Sequence, residues 1–194
     1  MAKGQETRQR IIEKSAPIFN KLGFARASMA DLMTATGLEK GGIYRHFESK
    51  EELACAAFDY ACAIKEQEWF GAAAKAQPGF AQIEKFILNF SAVPSKIEGG
   101  CPIFNAAIEH DDGNRILKER AIAAYEQWIL RLISFIEEAK KSGELAKKVQ
   151  SRKTAIFIFC SLEGALAVQR LTKNKNIQPE QRRFILKELE AFKN

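Results

Sequence analysis

Four side chains that can bind phosphate groups or base edges lie within eleven residues of the N-terminal region. They are Lys40, Tyr44, Arg45 and Lys50, and the pair Gly41-Gly42 lies among them. The three cations provide charge, the tyrosine provides a hydroxyl group, and the glycines allow the backbone to approach a partner closely. This combination of groups is typical of a surface that binds a polyanion such as DNA.

The positive charge of the chain is concentrated in the same region. Residues 1–50 contain nine Lys or Arg and five Asp or Glu, so they carry +4 of the total formal charge of +6. A polyanion would therefore be met by the N-terminal part of the chain. A solvated surface can have the same excess, so the charge alone does not decide between the two interpretations.

The residues around these cations predict two short helices. Residues 28–31 (Ser-Met-Ala-Asp) can form a capping box at the start of the first helix, and Gly37 can end it in a left-handed conformation. The second helix is predicted over 40–47, and the apolar residues expected to lock the pair together are Leu32, Leu38 and Ile43. Two short helices joined at a glycine have the geometry of a helix-turn-helix, whose second helix fits the major groove. An ordinary helical hairpin has the same spacing and is the alternative.

The remainder of the chain is also predicted to be helical, so the expected fold class is all-α. Apolar residues recur at helical spacing, and Gly, Pro or polar runs separate the blocks. Pro17 lies inside the first block and predicts a kink. A long helix is predicted from about 50 to 76, and further helices over about 80–92, 102–110, 114–141, 152–171 and 179–192. Because short basic helices give way to longer aromatic-rich ones, we expect a domain boundary near residue 50, between 1–50 and 51–194.

Two segments, Gly37–Phe47 and Ser49–Leu53, resemble the signature of the TetR (tetracycline repressor) family of transcriptional regulators. The match extends over about residues 8–60, and the chain length and helical remainder agree with the nine-helix plan of that family. The resemblance implies an N-terminal three-helix domain that contains the helix-turn-helix and a C-terminal helical domain for ligand binding and dimerisation. It also implies a homodimer that binds a palindromic double-stranded operator.

The resemblance assigns DNA contacts to individual positions. The positions that would face the groove are Lys40, Gly42, Tyr44 and Arg45. The positions that would hold the phosphate backbone are Ser28, Tyr44, His46 and Lys50. His46 has an equally weighted alternative as a packed residue that steadies the turn into the fourth helix.

This chain departs from the family pattern at two of these positions. Glu39 stands where a Ser or Thr cap is commoner, and Gly42 replaces a frequent Thr or Ser. The first places an acid close to DNA, and the second removes a side chain that could touch it. The base preference is therefore left open.

Aromatic residues are frequent between residues 80 and 171 and have two interpretations. At helical spacing they are most often core, but together they could line an apolar cavity for a small-molecule effector. The candidates for such a site are Phe86, Phe90, Phe104, Trp128 and Phe159. Glu163 interrupts an apolar run and could provide a polar group in the cavity, although a charge on the outer face of the helix is the expected alternative.

Cys101 follows Gly99-Gly100 and precedes Pro102, which suits the first position of a helix. A thiol at the N-cap would feel the helix dipole, which favours the reactive thiolate. The segment resembles the Gly-Cys motif that begins the sixth helix in a subgroup of the TetR family, some members of which are thiol-based sensors. A small residue at a tight helix start is the alternative. The other cysteines, Cys55, Cys62 and Cys160, are expected to be inert core residues.

The last two predicted helices could close the core, and in the TetR family they resemble the dimerising four-helix bundle.

We expect no catalytic residues, metal or cofactor, since the chain has two histidines and no nucleophile elbow or phosphate loop. Residues 109–112 (Glu-His-Asp-Asp) are expected to be a solvated helix end. No signal peptide is recognised, and the apolar stretch 154–168 is short for a membrane span. We therefore expect a cytoplasmic regulator that acts as a repressor and is released by a small molecule or by thiol modification. A helical adaptor or ligand-binding protein without specific DNA binding is the alternative.

Overall fold

The computed structural model describes residues 3–92, 95–110 and 113–193, and of Lys3 the backbone only. Within these ranges the chain forms nine α-helices, and one isolated β-bridge joins Leu145 to Lys193. The all-α prediction is confirmed. The helices are α1 (Lys3–Leu22), α2 (Met29–Thr36), α3 (Lys40–Tyr44), α4 (Lys50–Phe70), α5 (Phe80–Asn89), α6 (Pro102–His110), α7 (Arg115–Lys141), α8 (Ser151–Thr172) and α9 (Ile177–Glu190).

The capping signals around α2 act as predicted. The Ser28 side chain accepts a hydrogen bond from the Asp31 amide, and the Asp31 carboxylate accepts from the Ser28 amide. Gly37 adopts a left-handed conformation (φ 69°), and its amide donates to the Met33 carbonyl at 2.9 Å. A residue with a Cβ would be strained at this φ, so the glycine ends α2 and turns the chain toward α3.

Several helices end earlier than predicted, and one of them is α5, which ends at Asn89 instead of about 92. α3 ends at Tyr44 instead of Phe47, and the His46 amide bonds to the Ile43 carbonyl, three residues back. Two glycines in a five-residue helix lower its intrinsic stability, which favours this early tightening. α4 ends at Phe70 instead of about 76, because a 3-10 turn over Ala73–Lys75 follows it.

The chain packs as two compact units. Unit 1 comprises Met1–Lys65 and Lys96–Ala124, and unit 2 comprises Glu66–Ser95 and Tyr125–Asn194. α6 belongs to unit 1, because its Asn105 side chain donates to the Asn20 carbonyl at the end of α1. The predicted functional boundary at residue 50 is a different division of the chain and stays a prediction.

The core of unit 1 fixes the helix-turn-helix from inside. Leu32 of α2 and Ile43 of α3 are buried, as predicted. Phe47, four residues after Ile43, is also buried. Burying a side chain of this size stabilises a fold by about 1.5–3 kcal/mol. Leu38 is only half-buried and lies against Gly42.

α8 is the one described helix that is long and apolar enough to cross a membrane by length and composition alone. Core helices of soluble proteins meet the same criterion, so length and composition alone are weak evidence for a span. One face of α8, including Ala155, Phe159 and Leu162, is buried within unit 2. That burial is what a core helix requires.

Candidate nucleic-acid interface

α3 presents one exposed face, which we call the α3 outer face. It consists of Lys40, Gly41, Tyr44 and Arg45. The i, i+4 spacing places Lys40 above Tyr44 and Gly41 above Arg45 on the helix surface. Ile43 points into unit 1 and is 1 % exposed, which fixes the rotation of the helix. Three of the predicted groove-facing residues therefore share one surface.

Tyr44 is held at both ends of its side chain. The Lys40 ammonium lies 5.9 Å from the centre of the tyrosine ring, within the range of a cation–π contact. The Tyr44 hydroxyl is 3.7 Å from the Met29 sulfur. The hydroxyl is therefore directed toward the start of α2, and a phosphate group bound there could replace the weak sulfur acceptor.

The two glycines of α3 have different surroundings. A Cβ added at Gly41 would meet nothing within 4 Å, whereas one added at Gly42 would lie 3.5 Å from the Leu38 Cβ. Gly42 is half-buried, so it lies at the edge of the α3 outer face rather than at its centre. Gly41 was not a predicted site residue, although its i+4 spacing to Arg45 was available in the sequence.

Ser28 is exposed, but its hydrogen-bonding groups are engaged with Asp31. The Ser28 hydroxyl donates to Asp31 Oδ2 at 2.6 Å, and the Ser28 amide donates to the same oxygen at 2.8 Å. These bonds hold the pKa of Asp31 below its usual value. A phosphate contact by the Ser28 side chain would have to share this donor with a carboxylate.

Lys50 lies at the first position of α4 and contacts the loop after α1. Its Nζ donates to the Phe24 carbonyl at 2.6 Å and lies 4.5 Å from the centre of the Phe24 ring. The ammonium group carries three protons, so two remain for a phosphate. His46 lies in the segment between α3 and α4 and is half-buried. This burial is compatible both with a phosphate contact and with a packing role in the turn.

Glu39 precedes α3 as its N-cap and is exposed, with no side-chain capping bond. Arg8 of α1 contacts the segment that follows α3 and the first turn of α4. Its guanidinium pairs with Glu52 at 3.0 Å and lies 4.5 Å from the centre of the Phe47 ring. The sequence did not predict these contacts of Arg8, because they depend on packing between α1 and α4.

The comparisons with known proteins agree along the whole chain. Residues 11–57 match the family model described as bacterial regulatory proteins, tetR family, and residues 79–185 match the tetracyclin repressor-like, C-terminal domain. A TetR transcriptional regulator from Chloroflexus aurantiacus J-10-FL is 38% identical, with a TM-score of 0.89 over 95% of this chain and 94% of that one. The chain belongs to the TetR family.

Two further relatives support the assignment. A TetR-family regulator from Cytophaga hutchinsonii is 30% identical, with a TM-score of 0.93 over 100% of this chain and 98% of that one. The HTH-type transcriptional repressor DhaR from Mycobacterium sp. (strain GP1) is 23% identical over 87% of this chain and 84% of its own. This TetR-family chain is thus a helix-turn-helix transcriptional regulator and not an enzyme. Dimerisation and response to small molecules are typical of the family.

Most of the predicted effector residues belong to an aromatic cluster in unit 2. The ring of Trp69 lies 4.1 Å from that of Phe90, and the ring of Phe70 lies 4.4 Å from that of Phe86. Trp128 contacts Trp69 at 5.4 Å and Phe159 at 6.1 Å. We call these six residues and Phe135 the aromatic cluster. Its rings contact one another at the distances of favourable aromatic pairs, so they act as core in this conformation of the TetR-family chain.

The remaining effector candidates are placed differently. Cys101 and Phe104 belong to unit 1, Cys101 with 2 % of its surface exposed and Phe104 half-buried. Pro102 begins α6 as predicted. Glu163 belongs to unit 2 and is 2 % exposed, so the expectation of a surface charge is wrong. The helix is rotated so that Gly164, not Glu163, faces outward.

Two other local predictions need correction. Cys160 is exposed instead of core, whereas Cys55 and Cys62 are buried as expected. His110 is 5 % exposed, so α6 does not finish in a solvated end. Asp111 and Asp112 lie outside the described residues. Within the described ranges, no three His, Cys, Asp or Glu side chains are grouped as metal ligands would be.

Proposed function

We propose that this chain is a homodimeric repressor that binds a palindromic operator through the α3 outer face. The observation that carries the proposal is the exposed surface of Lys40, Tyr44 and Arg45 on a helix whose inner side is buried. In helix-turn-helix proteins such a helix lies in the major groove, and two half-sites are read about 34 Å apart. Ser28, His46 and Lys50 would contact phosphates, and Gly42 would lie beside the groove.

The second half of the proposal concerns the dimer. α8 carries an exposed stripe at helical spacing, which we call the α8 stripe, and it consists of Phe157, Cys160, Gly164, Val168 and Leu171. A Cβ at Gly164 would meet nothing within 4 Å, so a second helix could approach closely at this point. Phe184 of α9 is also 53 % exposed. A two-fold dimer through α8 and α9 would cover these apolar groups.

The third part concerns release from the operator. A small molecule that binds unit 2 would have to displace rings of the aromatic cluster, so its site would open only with the ligand bound. The second route to release is modification of the Cys101 thiol, as in thiol-sensing members of the Gly-Cys subgroup. Because Cys101 is buried, we expect its thiol to react slowly with bulky reagents. Electrophile-induced release that persists in Cys101→Ser would remove this route. We place the protein in the cytoplasm, with no membrane partner.

The experiment that tests DNA recognition is selection of bound duplexes from a random library at two salt concentrations. We expect one palindromic site, because a two-fold dimer requires two-fold symmetric half-sites. Tyr44→Ala is expected to lose that site, while Tyr44→Phe, which keeps the ring beside Lys40, is the matched control for the hydroxyl group. Binding that depends on salt but shows no sequence preference would contradict the proposal.

A further inference from the structure

The loop between α1 and α2 is held by a carboxylate that lies far along the chain. The Phe24 amide donates to Glu109 Oε2 at 3.0 Å, and the Ala25 amide donates to Glu109 Oε1 at 2.8 Å. Glu109 lies in the last turn of α6, and all three residues belong to unit 1. Each oxygen of one carboxylate thus accepts one amide of the loop, and hydrogen bonds to a charged acceptor are the strong ones.

The same loop is held from its other side by the first residue of α4. Lys50 Nζ donates to the Phe24 carbonyl, so a carboxylate binds the amide of Phe24 and an ammonium group binds its carbonyl. The loop then leads through Ala27, which is fully buried, to Ser28, the cap of α2. The start of the helix-turn-helix is therefore fixed by side chains from α6 and α4.

The fit around the carboxylate is close. Gly23 has a φ of 82°, and a Cβ at this position would lie 2.6 Å from Glu109 Oε2, so only a glycine leaves room for the contact. His110 Nε2 lies 3.7 Å from the same oxygen and is buried. One turn earlier on α6, Asn105 donates to the Asn20 carbonyl at 2.9 Å. Two successive turns of α6 are thus bonded to the end of α1 and the loop that follows.

We propose that Glu109 is a positioning residue for operator binding, although α6 itself would touch no DNA. By fixing the Phe24 and Ala25 amides, it holds α2 and α3 in the geometry that places the α3 outer face in the groove. Any movement of α6 that withdraws the carboxylate would release this loop. The inference rests on the proposed function, because it concerns how the same DNA-binding surface is held.

Removing the charge of Glu109 and removing its loop contacts are expected to change DNA affinity in opposite directions, so the two effects can be separated. Removing an acidic group makes the protein more positive, which by itself strengthens binding to any DNA. Loss of the loop contacts is expected to weaken binding to the operator, because α3 is no longer held in the position that fits the groove. In Glu109→Gln the amide group can accept one loop hydrogen bond but must present its NH₂ to the other donor.

The experiment compares Glu109→Gln with Glu98→Gln in the full chain. Glu98 is a suitable control, since its exposed carboxylate pairs only with Lys21, at 3.1 Å, among the described contacts. Both variants change the net charge equally. Affinity is measured for the selected operator and for a scrambled duplex. We expect Glu109→Gln to bind the operator about tenfold more weakly, with scrambled-duplex binding unchanged or stronger. Glu98→Gln is expected to bind both duplexes at least as well as the wild type.

Hydrogen exchange provides a second measurement of the same contact. Amides of residues 23–28 are expected to exchange faster in Glu109→Gln than in the wild type, while those of α4 are unchanged. If Glu109→Gln does not fold, Glu109→Asp keeps the charge and shortens the reach by one methylene, and both measurements are made on it. Equal operator affinity and equal exchange in the variant would overturn the inference. Failure of the wild type to select any operator would instead overturn the proposed function, and this inference with it.

Discussion

The α3 outer face and the aromatic cluster place large side chains in opposite settings. Tyr44 is 37 % exposed on a five-residue helix, whereas Trp128 is 1 % exposed and surrounded by other rings. Packing places few constraints on an exposed residue, so the types and spacing of a group of exposed residues can carry information about a partner. A buried aromatic residue can be kept for packing or for a ligand, and its type does not distinguish the two.

The largest expected effect tests the interpretation of the aromatic cluster as core. Trp128→Ala is expected to lower the free energy of unfolding by about 3–5 kcal/mol, because it leaves a cavity between Trp69 and Phe159. Denaturant unfolding measures this directly. Leu130→Ala, at a residue of unit 2 that is 58 % exposed and lies outside the α8 stripe, is the control. A change below about 1 kcal/mol at Trp128 would mean that the cluster already contains space for a ligand.

The α8 stripe is exposed like the α3 outer face but is apolar, so we expect its partner to be a second copy of the chain. Gly164→Glu would place two carboxylates against each other across a two-fold axis, and removing charges from water without partners is costly. The variant is expected to sediment as a monomer at concentrations where the wild type is a dimer. A dimer that persists would place the interface elsewhere. Arg170→Glu, an exposed change on the same helix outside the stripe, is the control.

A smaller effect is expected on the α3 outer face itself. Arg45→Ala is expected to cost about 1–3 kcal/mol of operator binding without changing the unfolding temperature, since the side chain is exposed. Arg115→Ala removes the same charge from a residue of unit 1 that is 87 % exposed. Fluorescence anisotropy with the selected operator compares the two. Equal losses would mean that charge alone, and not position on α3, determines binding.

The smallest effect concerns the cap of α2. Hydrogen bonds from Ser28 lower the pKa of Asp31, so the folded state favours the carboxylate. The resulting stability is present above the ordinary aspartate pKa and is lost as the pH falls through the lowered value. Asp31→Asn is therefore expected to melt below the wild type at neutral pH and to approach it in acid. A difference that does not change with pH would show that the charge of Asp31 has no part in it.

Local signals were predictable from the sequence, and contacts between distant segments were not. Ser28, Asp31 and Gly37 act within a few residues of themselves, so their roles follow from type and spacing. Glu109 meets a loop 84 and 85 residues away, and no local pattern indicates that distance. Glu163 was misplaced for a related reason, because the buried face of α8 depends on which helices pack against it. α3 was predicted too long since pattern alone does not show where a glycine-rich helix tightens.

The open space at Gly41 has a consequence for how operator preference can change over evolutionary time. Lys40 and Tyr44 of the α3 outer face already contact other side chains, so altering either of them disturbs contacts within unit 1. A Cβ added at Gly41 would meet nothing within 4 Å outside its own helix backbone, and it would lie on the α3 outer face. Alanine there would also favour the helix by about 1 kcal/mol over glycine. Under the proposed function, a single codon change at this position could therefore retarget a duplicated copy of the chain to a new operator without disturbing the packing of unit 1.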